Sequence, residues 1–156
     1  MSKIKAYLAG STKAENYRSY CHSDPSIKEN FILNDPLQNT HKLFEEHNLC
    51  WSDIVTKSVI IPKPVRQIIV KEDKSLILQS DCVIAYIEQP TFGTVMEIMF
   101  AHIWKIPVYV INPSKSHLHD VWLSVHWTAI FNDIDKCFAY VLLNNKRLLE
   151  EGRKNV

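Results

Sequence analysis

Hydrophobic and polar positions follow two rhythms along this chain. Lys3 to Ala9 steps by two, with Ile4, Ala6 and Leu8 on one side, which predicts a strand ending at Ala9-Gly10-Ser11. Phe31-Ile32-Leu33 is a second apolar run, ended by the turn signal Asn34-Asp35-Pro36. From Pro36 to Leu49 the spacing is helical, around Leu43, Phe44 and His47. Trp51 to Pro64 has no clear rhythm. An extended piece is expected at Ser58-Val59-Ile60-Ile61, stopped by Pro62 and Pro64. Val65 to Gln79 predicts a helix with Ile68, Ile69, Leu76 and Leu78 inward. Cys82-Val83-Ile84-Ala85-Tyr86 is a continuous apolar run, the pattern of a buried parallel strand. A helix is expected from about Gly93 to Lys105, then a strand over Pro107 to Ile111, stopped by Asn112-Pro113. Val121 to Trp127 and Asp133 to Glu150 read as the last helices, with an extended piece at Ala129-Ile130-Phe131 between them. Val121, Trp122 and Val125 have the spacing of a core face. Strands alternating with helices predict an α/β fold on a mostly parallel sheet of five strands. Ligands bind such sheets beyond the strands' carboxyl ends, where the strand order reverses. Tyr7, Thr91, Glu97 and Asn112 all fall at such ends.

Composition narrows the class. A chain of 156 residues fits one domain spanning 1–156. At 46% hydrophobic and 22% charged it reads as an ordinary globular protein, not a disordered one. Lys+Arg is 18 against 17 Asp+Glu, so no basic excess points to a nucleic-acid polymer. No apolar run reaches the roughly 18–20 residues of a membrane helix, and the N-terminal apolar stretch is too short for a signal segment. Cys21, Cys50, Cys82 and Cys137 form no Cys-x-x-Cys pair, so reduced thiols and a cytoplasmic location are expected.

The segment Gln89-Pro90-Thr91-Phe92-Gly93-Thr94-Val95-Met96-Glu97-Ile98 carries the most chemistry. A strand enters a turn with Gly and then opens a helix. Free amides there, with the hydroxyls of Thr91 and Thr94, suit an anion or a sugar oxygen. The segment is neither a Walker loop nor Gly-x-Gly-x-x-Gly. Thr94-x-x-Glu97 also matches a capping box, which would put Glu97 in the helix's first turn and favour its ionised form. Asp73, within Lys71-Glu72-Asp73-Lys74, reads locally as an exposed charged face. Tyr7 lies opposite the apolar set of its strand, where it could be a packing residue. Asp81 reads as a structural cap. His117, His119 and His126 lack a carboxylate or Cys at the spacing of a tetrahedral site, so no metal is expected. Trp122, His126 and Trp127 suit packing, a subunit interface or stacking on a base. Lys146-Arg147 and Arg153-Lys154 suit a solvated helix end.

Three pieces together resemble the nucleoside 2-deoxyribosyltransferase superfamily. They are Tyr7-Leu8-Ala9-Gly10, then Asp73-x7-Asp81-Cys82-Val83-Ile84-Ala85, then Gly93-Thr94-x-x-Glu97-Ile98-x-x-Ala101. Trp122-Leu123-x-x-His126 matches more weakly. The resemblance implies a flavodoxin-like, doubly wound sheet and cleavage of an N-glycosidic bond without metal or organic cofactor. It implies that Glu97 is the nucleophile, that Asp73 positions the sugar and assists proton transfer to the base, and that Tyr7 orients the nucleophile. Gly10, Ser11, Thr91, Gly93, Thr94, Asn112 and Ser114 would hold a small nucleoside or nucleotide. Members of the family form homo-oligomers that borrow a residue from a neighbour, and Asn112, Ser114 and Ser116 are the candidates here. The acceptor would be another base. A departure bears on this: Thr91 stands where the transferases have an acid, and a hydroxyl there resembles the deoxynucleoside 5′-monophosphate N-glycosidases, which transfer to water. A non-catalytic nucleotide-binding module is the remaining reading. Residues 12–64 match nothing in the family.

Overall fold

The computed structural model describes residues 2–56, 58–88, 91–116 and 119–154, with side chains through Asn145 except that of Val55. In chain order the elements are β1 (Ile4–Gly10), α1 (Glu15–Ser23), α2 (Pro25–Asn30), β2 (Phe31–Asn34), α3 (Pro36–Glu46), α4 (Trp51–Val55) and α5 (Lys63–Leu78). They continue with β3 (Cys82–Tyr86), α6 (Phe92–Ile103), β4 (Val108–Ile111), α7 (Val121–Ser124), β5 (Ala129–Phe131) and α8 (Ile134–Lys154). The five strands form one sheet in the order β2-β1-β3-β4-β5, and every neighbouring pair is parallel. This is the flavodoxin-like order, and its direction reverses between β1 and β3.

Strand periodicity sorts the core into two layers. Ile4, Ala6 and Leu8 of β1 join Cys82, Ile84, Tyr109 and Ile111 on one face, under Tyr17, Cys21, Ile27, Cys137, Phe138 and Val141 from α1, α2 and α8. Tyr7 and Ala9 join Val83, Ala85, Val108 and Val110 on the other, under Ile77, Ile98, Ala101 and Leu123 from α5, α6 and α7. Leu43, Phe44 and Val65 make a smaller cluster, with Trp51 and Ile54 packed against it.

Several expectations are corrected. Two helices, α1 and α2, occupy the span between β1 and β2 that matched no pattern. The inward face of α1 is Tyr17, Arg18 and Cys21, so a buried arginine interrupts the apolar spacing. No strand forms at the described residues of 58–61, and a short helix, α4, precedes them. Pro64 opens α5 rather than ending an extended piece; proline is tolerated in a first turn, where amides have no helical partner. The buried residues of α5 are Val65 and Ile77, while Ile68 and Leu78 are exposed. α6 stops before Lys105, which takes a left-handed φ of 58° and terminates the helix. α7 ends at Ser124, and Val121, Trp122 and Val125 are exposed, not core. Asp81 is structural as expected, but it accepts the Lys5 amide of β1 at 2.8 Å rather than capping the turn before it. Gln89, Pro90 and His117 lie outside the described residues, as do the side chains of Lys146, Arg147, Arg153 and Lys154.

Ile84 is fully enclosed at the sheet centre, whereas Ile60 is 85% exposed. Ile84→Ala therefore lowers the unfolding free energy by about 2–5 kcal/mol, read from urea denaturation. Ile60→Ala changes it by no more than about 0.5 kcal/mol in the same measurement.

Candidate active site

The strand-order reversal brings β1 beside β3, and α6 leaves the end of β3. Tyr7 is therefore presented toward α6 from 90 residues away. On α6, Thr94, Ile98 and Ala101 are buried, and helical spacing sets Glu97 on the same face. The Tyr7 hydroxyl donates to Glu97 Oε1 at 2.8 Å. Tyr7 is wholly buried, so it packs in the core and also hydrogen-bonds the carboxyl.

The capping expectation for Glu97 is overturned. Thr91 is the N-cap of α6, accepting the Thr94 amide at 3.3 Å, so the helix starts at Phe92. Glu97 is then the sixth helical residue, beyond the first turn and beyond the reach of the capping box. Its ionisation shifts the opposite way from a first-turn carboxylate. Burial pushes the carboxyl up to about 8; the nearby Asp73 charge adds to this, while the Tyr7 hydrogen bond and the Arg18 charge work against it. Tyr7 in turn is held far above the ordinary phenol range, by burial first and then by the Glu97 and Asp73 charges.

Asp73 on α5 is half-buried, not an exposed helix face. Burial, with the Glu72 charge added, raises it to about 6. Its charge acts on both Tyr7 and Glu97, so the three groups form one electrostatic unit.

The remaining expected residues divide. Thr91 and Thr94 hold each other at the α6 N-terminus, their hydroxyls 3.0 Å apart. A Cβ built on Gly93 would meet only the Thr91 hydroxyl, at 3.8 Å, so the space before this helix end is open. Gly10 closes β1, and a Cβ there would lie 3.4 Å from the Tyr86 carbonyl. Ser11 accepts the Lys13 amide in a local turn. Asn112 is 1% exposed; its carbonyl oxygen accepts from Ser114 at 3.2 Å, and its Nδ2 has no partner among the described residues. Ser114 and Ser116 are exposed and bonded to each other at 2.8 Å. No hydrogen bond among the described residues joins Ser11, Thr91, Asn112 or Ser114 to the Tyr7–Glu97 pair. The concavities described, including one of about 570 Å³ along Lys63, Arg66, Lys71 and Lys74, lie away from that pair.

His126 stacks on Trp122 and meets the His102 ring edge-on. Among the described residues no three His, Cys, Asp or Glu side chains gather as metal ligands.

Two site-adjacent residues escaped the sequence reading. Arg18 is buried and paired with Asp35 at 3.1 Å, and Asp35 also accepts from the Leu37 amide as the N-cap of α3. His22 lies 3.0 Å from the other Asp35 oxygen. Asp35-Pro36 was legible as a helix start, cap followed by proline, and not only as a turn.

A carboxyl with a raised pKa opposes folding once ionised. The unfolded value is 4.5 and the folded value about 8, so the folded chain holds this proton more tightly. The contribution of Glu97 to stability is full below about 4.5, falls as pH rises, and is lost above about 8. Glu97→Gln keeps an acceptor for Tyr7 and removes the titration. Its melting temperature matches the wild type near pH 4.5 and exceeds it by a few degrees at pH 8–9, measured by calorimetry across pH.

By sequence, no family model and no curated protein matches the chain. Among solved structures it resembles a 2-deoxyribosyltransferase from the psychrotolerant bacterium Bacillus psychrosaccharolyticus. The identity is 16% and the TM-score 0.59, over 83% of this chain and 86% of that one. A conserved protein from Enterococcus faecalis V583 aligns at 18% identity and a TM-score of 0.49, over 99% of this chain and 100% of that one. The first of these likenesses shows the architecture that the motifs implied: the chain has the fold of a 2-deoxyribosyltransferase.

Proposed function

We propose that the chain cleaves the N-glycosidic bond of a (deoxy)nucleoside or nucleotide through a covalent glycosyl–Glu97 intermediate and transfers the sugar to another base. The observation that carries this reading is the 2.8 Å hydrogen bond from Tyr7 to Glu97 at the point where the strand order reverses. Tyr7 occupies Oε1 and leaves Oε2 for attack. In the first step Oε2 bonds to the anomeric carbon, the carbon–nitrogen bond breaks, and its electron pair leaves with the base. Asp73 supplies the proton the departing base takes up. In the second step an acceptor nitrogen bonds to the same carbon, gives its proton to the Asp73 carboxylate and frees the Glu97 carboxylate, so configuration is retained. No metal or organic cofactor enters this scheme.

The charge state fits. Between about 6 and about 8 the Asp73–Glu97 pair carries a single proton. The reaction needs that count, with the proton on Asp73 and the charge on Glu97. Below about 6 both carboxyls are protonated and the nucleophile is lost; above about 8 both are ionised and the acid is lost. The pH profile of kcat/KM is thus a bell with limbs near 6 and 8, read from initial rates of base release.

A second reading is hydrolysis of a deoxynucleoside 5′-monophosphate. It is favoured by the exposed Thr91 cap and the open space at Gly93, where amides of a helix N-terminus face outward. Chromatography of free base after incubation with ribo- and deoxyribonucleosides and their 5′-monophosphates separates the two. A transferase needs a second base for full rate; a hydrolase does not. Either way Glu97→Gln lowers base release by roughly a thousandfold or more. Retained turnover in that variant sinks the nucleophile assignment. Ligand binding unchanged by Glu97→Gln, with no base release in the wild type, would identify a non-catalytic nucleotide-binding module.

The proposal includes self-association. α6 exposes Phe92, Met96 and Ile103 along one stripe, and the adjoining Val121, Trp122 and Val125 are exposed as well. A second copy of the chain covering this face would explain a 73% exposed tryptophan on a short helix. Trp122→Asp then reduces the mass measured by light scattering to that of one chain; an unchanged mass excludes this face as the interface.

A further inference from the structure

Arg18 is the only buried lysine or arginine among the described residues. Its guanidinium donates to Ser11 O at 2.8 Å, to Gly10 O at 3.0 Å, to Leu8 O at 3.4 Å and to Asp35 Oδ1 at 3.1 Å. The pattern has a cause in the sheet. β2 ends at Asn34, which pairs with Tyr7, so β1 runs on past its neighbour. Leu8 and Gly10, two residues apart, turn their carbonyls to the same side of the strand. With no β2 partner beyond Tyr7, Arg18 supplies donors there.

We propose that Arg18 is the positioning residue of the Tyr7–Glu97 pair: its planar fork replaces the missing strand partner, fixes the β1 residues that directly follow Tyr7, and sets a permanent positive charge near the half-buried Glu97 carboxyl. This rests on Glu97 being the nucleophile. The electrostatics agree in sign, because the Arg18 charge favours the ionised forms of both Glu97 and Tyr7. The other polar groups facing Glu97 are Tyr7 from β1 and Asp73 from α5. β3 and β4 present Val83, Ala85 and Val110 to that layer. Lys74 of α5 sits over the Phe100 ring of α6, 5.4 Å from its centre. Lysine cannot replace the fork, since a single ammonium does not span three carbonyls and a carboxylate in fixed directions.

The test uses Arg18→Met combined with Asp35→Asn, which keeps the α3 cap and leaves no unpaired buried charge, and separately Arg18→Lys. Carbon-13 carboxyl titration of the unliganded protein follows Glu97, assigned by its loss in Glu97→Gln. In the double variant the Glu97 midpoint rises, and kcat/KM for base release at pH 7 falls with the alkaline limb displaced upward. In Arg18→Lys the midpoint stays within a few tenths of the wild type, while kcat falls because the tip is loosened. A lowered melting temperature with an unmoved midpoint in the double variant would leave Arg18 a purely structural residue and overturn the proposal. Wild-type kcat/KM in Arg18→Lys overturns the role of the fork, and this variant decides the matter if the double variant does not fold. The titration needs no substrate, so absence of base release from every nucleoside refutes the glycosidic reading and leaves the Arg18 result readable.

Discussion

A carboxyl is half-buried against the sheet, and one phenol answers it. Transferring an ionised carboxylate from water into an apolar layer is costly unless it is paired or hydrogen-bonded. Among the described residues Glu97 has a single hydrogen bond, from Tyr7, and no ion pair. The layer around it is aliphatic: Val83, Ala85, Ile98, Ala101 and Val110. Local stability would favour an apolar side chain at this position. The other sheet face also takes a charge inward, Arg18 of α1, but that one is paired with Asp35. A destabilising carboxyl in an otherwise well-satisfied domain is the pattern expected of a working site.

Topology brings that carboxyl and its phenol together. Tyr7 and Glu97 are 90 residues apart, and only the crossover from β1 through β2 to β3 makes them neighbours. The chain reverses its direction of travel across the sheet between β1 and β3. Sheets of this kind bind ligands beyond the carboxyl ends flanking such a reversal. Tyr7 reaches Glu97 from β1, and Glu97 comes from α6. Asp73 arrives from α5, the helix packed beside α6.

The sheet was legible in the sequence, and the helices were legible in proportion to the purity of their apolar faces. β3 is five consecutive buried or half-buried residues, and no other element fits Cys82 to Tyr86. β1 shows strict alternation, which also put Tyr7 on the correct face. α1 was invisible because its inward face is tyrosine, arginine and cysteine, and an arginine reads as a surface residue. α7 misled in the opposite sense. Val121, Trp122 and Val125 have core spacing, but spacing reports only that an apolar face exists and not what covers it. The expected start of α6 at Gly93 lay one residue from the observed Phe92, but the capping-box reading placed the cap three residues late, because Thr91 and Thr94 both suit an N-cap. That difference changes the chemistry, since Glu97 leaves the favourable end of the helix dipole and comes under the control of burial.

The balance at Glu97 also constrains what can happen when a ligand enters. In the free protein Glu97, the proposed nucleophile, has the higher proton affinity, and Asp73, the proposed acid, has the lower. Attack requires the reverse arrangement. A leaving base near Asp73 raises the demand for a proton there, as positive charge developing on the sugar stabilises an ionised Glu97. Both effects grow as the glycosidic bond stretches, so the proton and the charge exchange places in the direction of the reaction. Desolvation that disfavours the carboxylate in the free protein thereby strengthens its attraction to an oxocarbenium-like carbon. The same burial that costs stability in the ground state acts in favour of the transition state. An exposed carboxylate, hydrated and ionised throughout, would gain far less from the change.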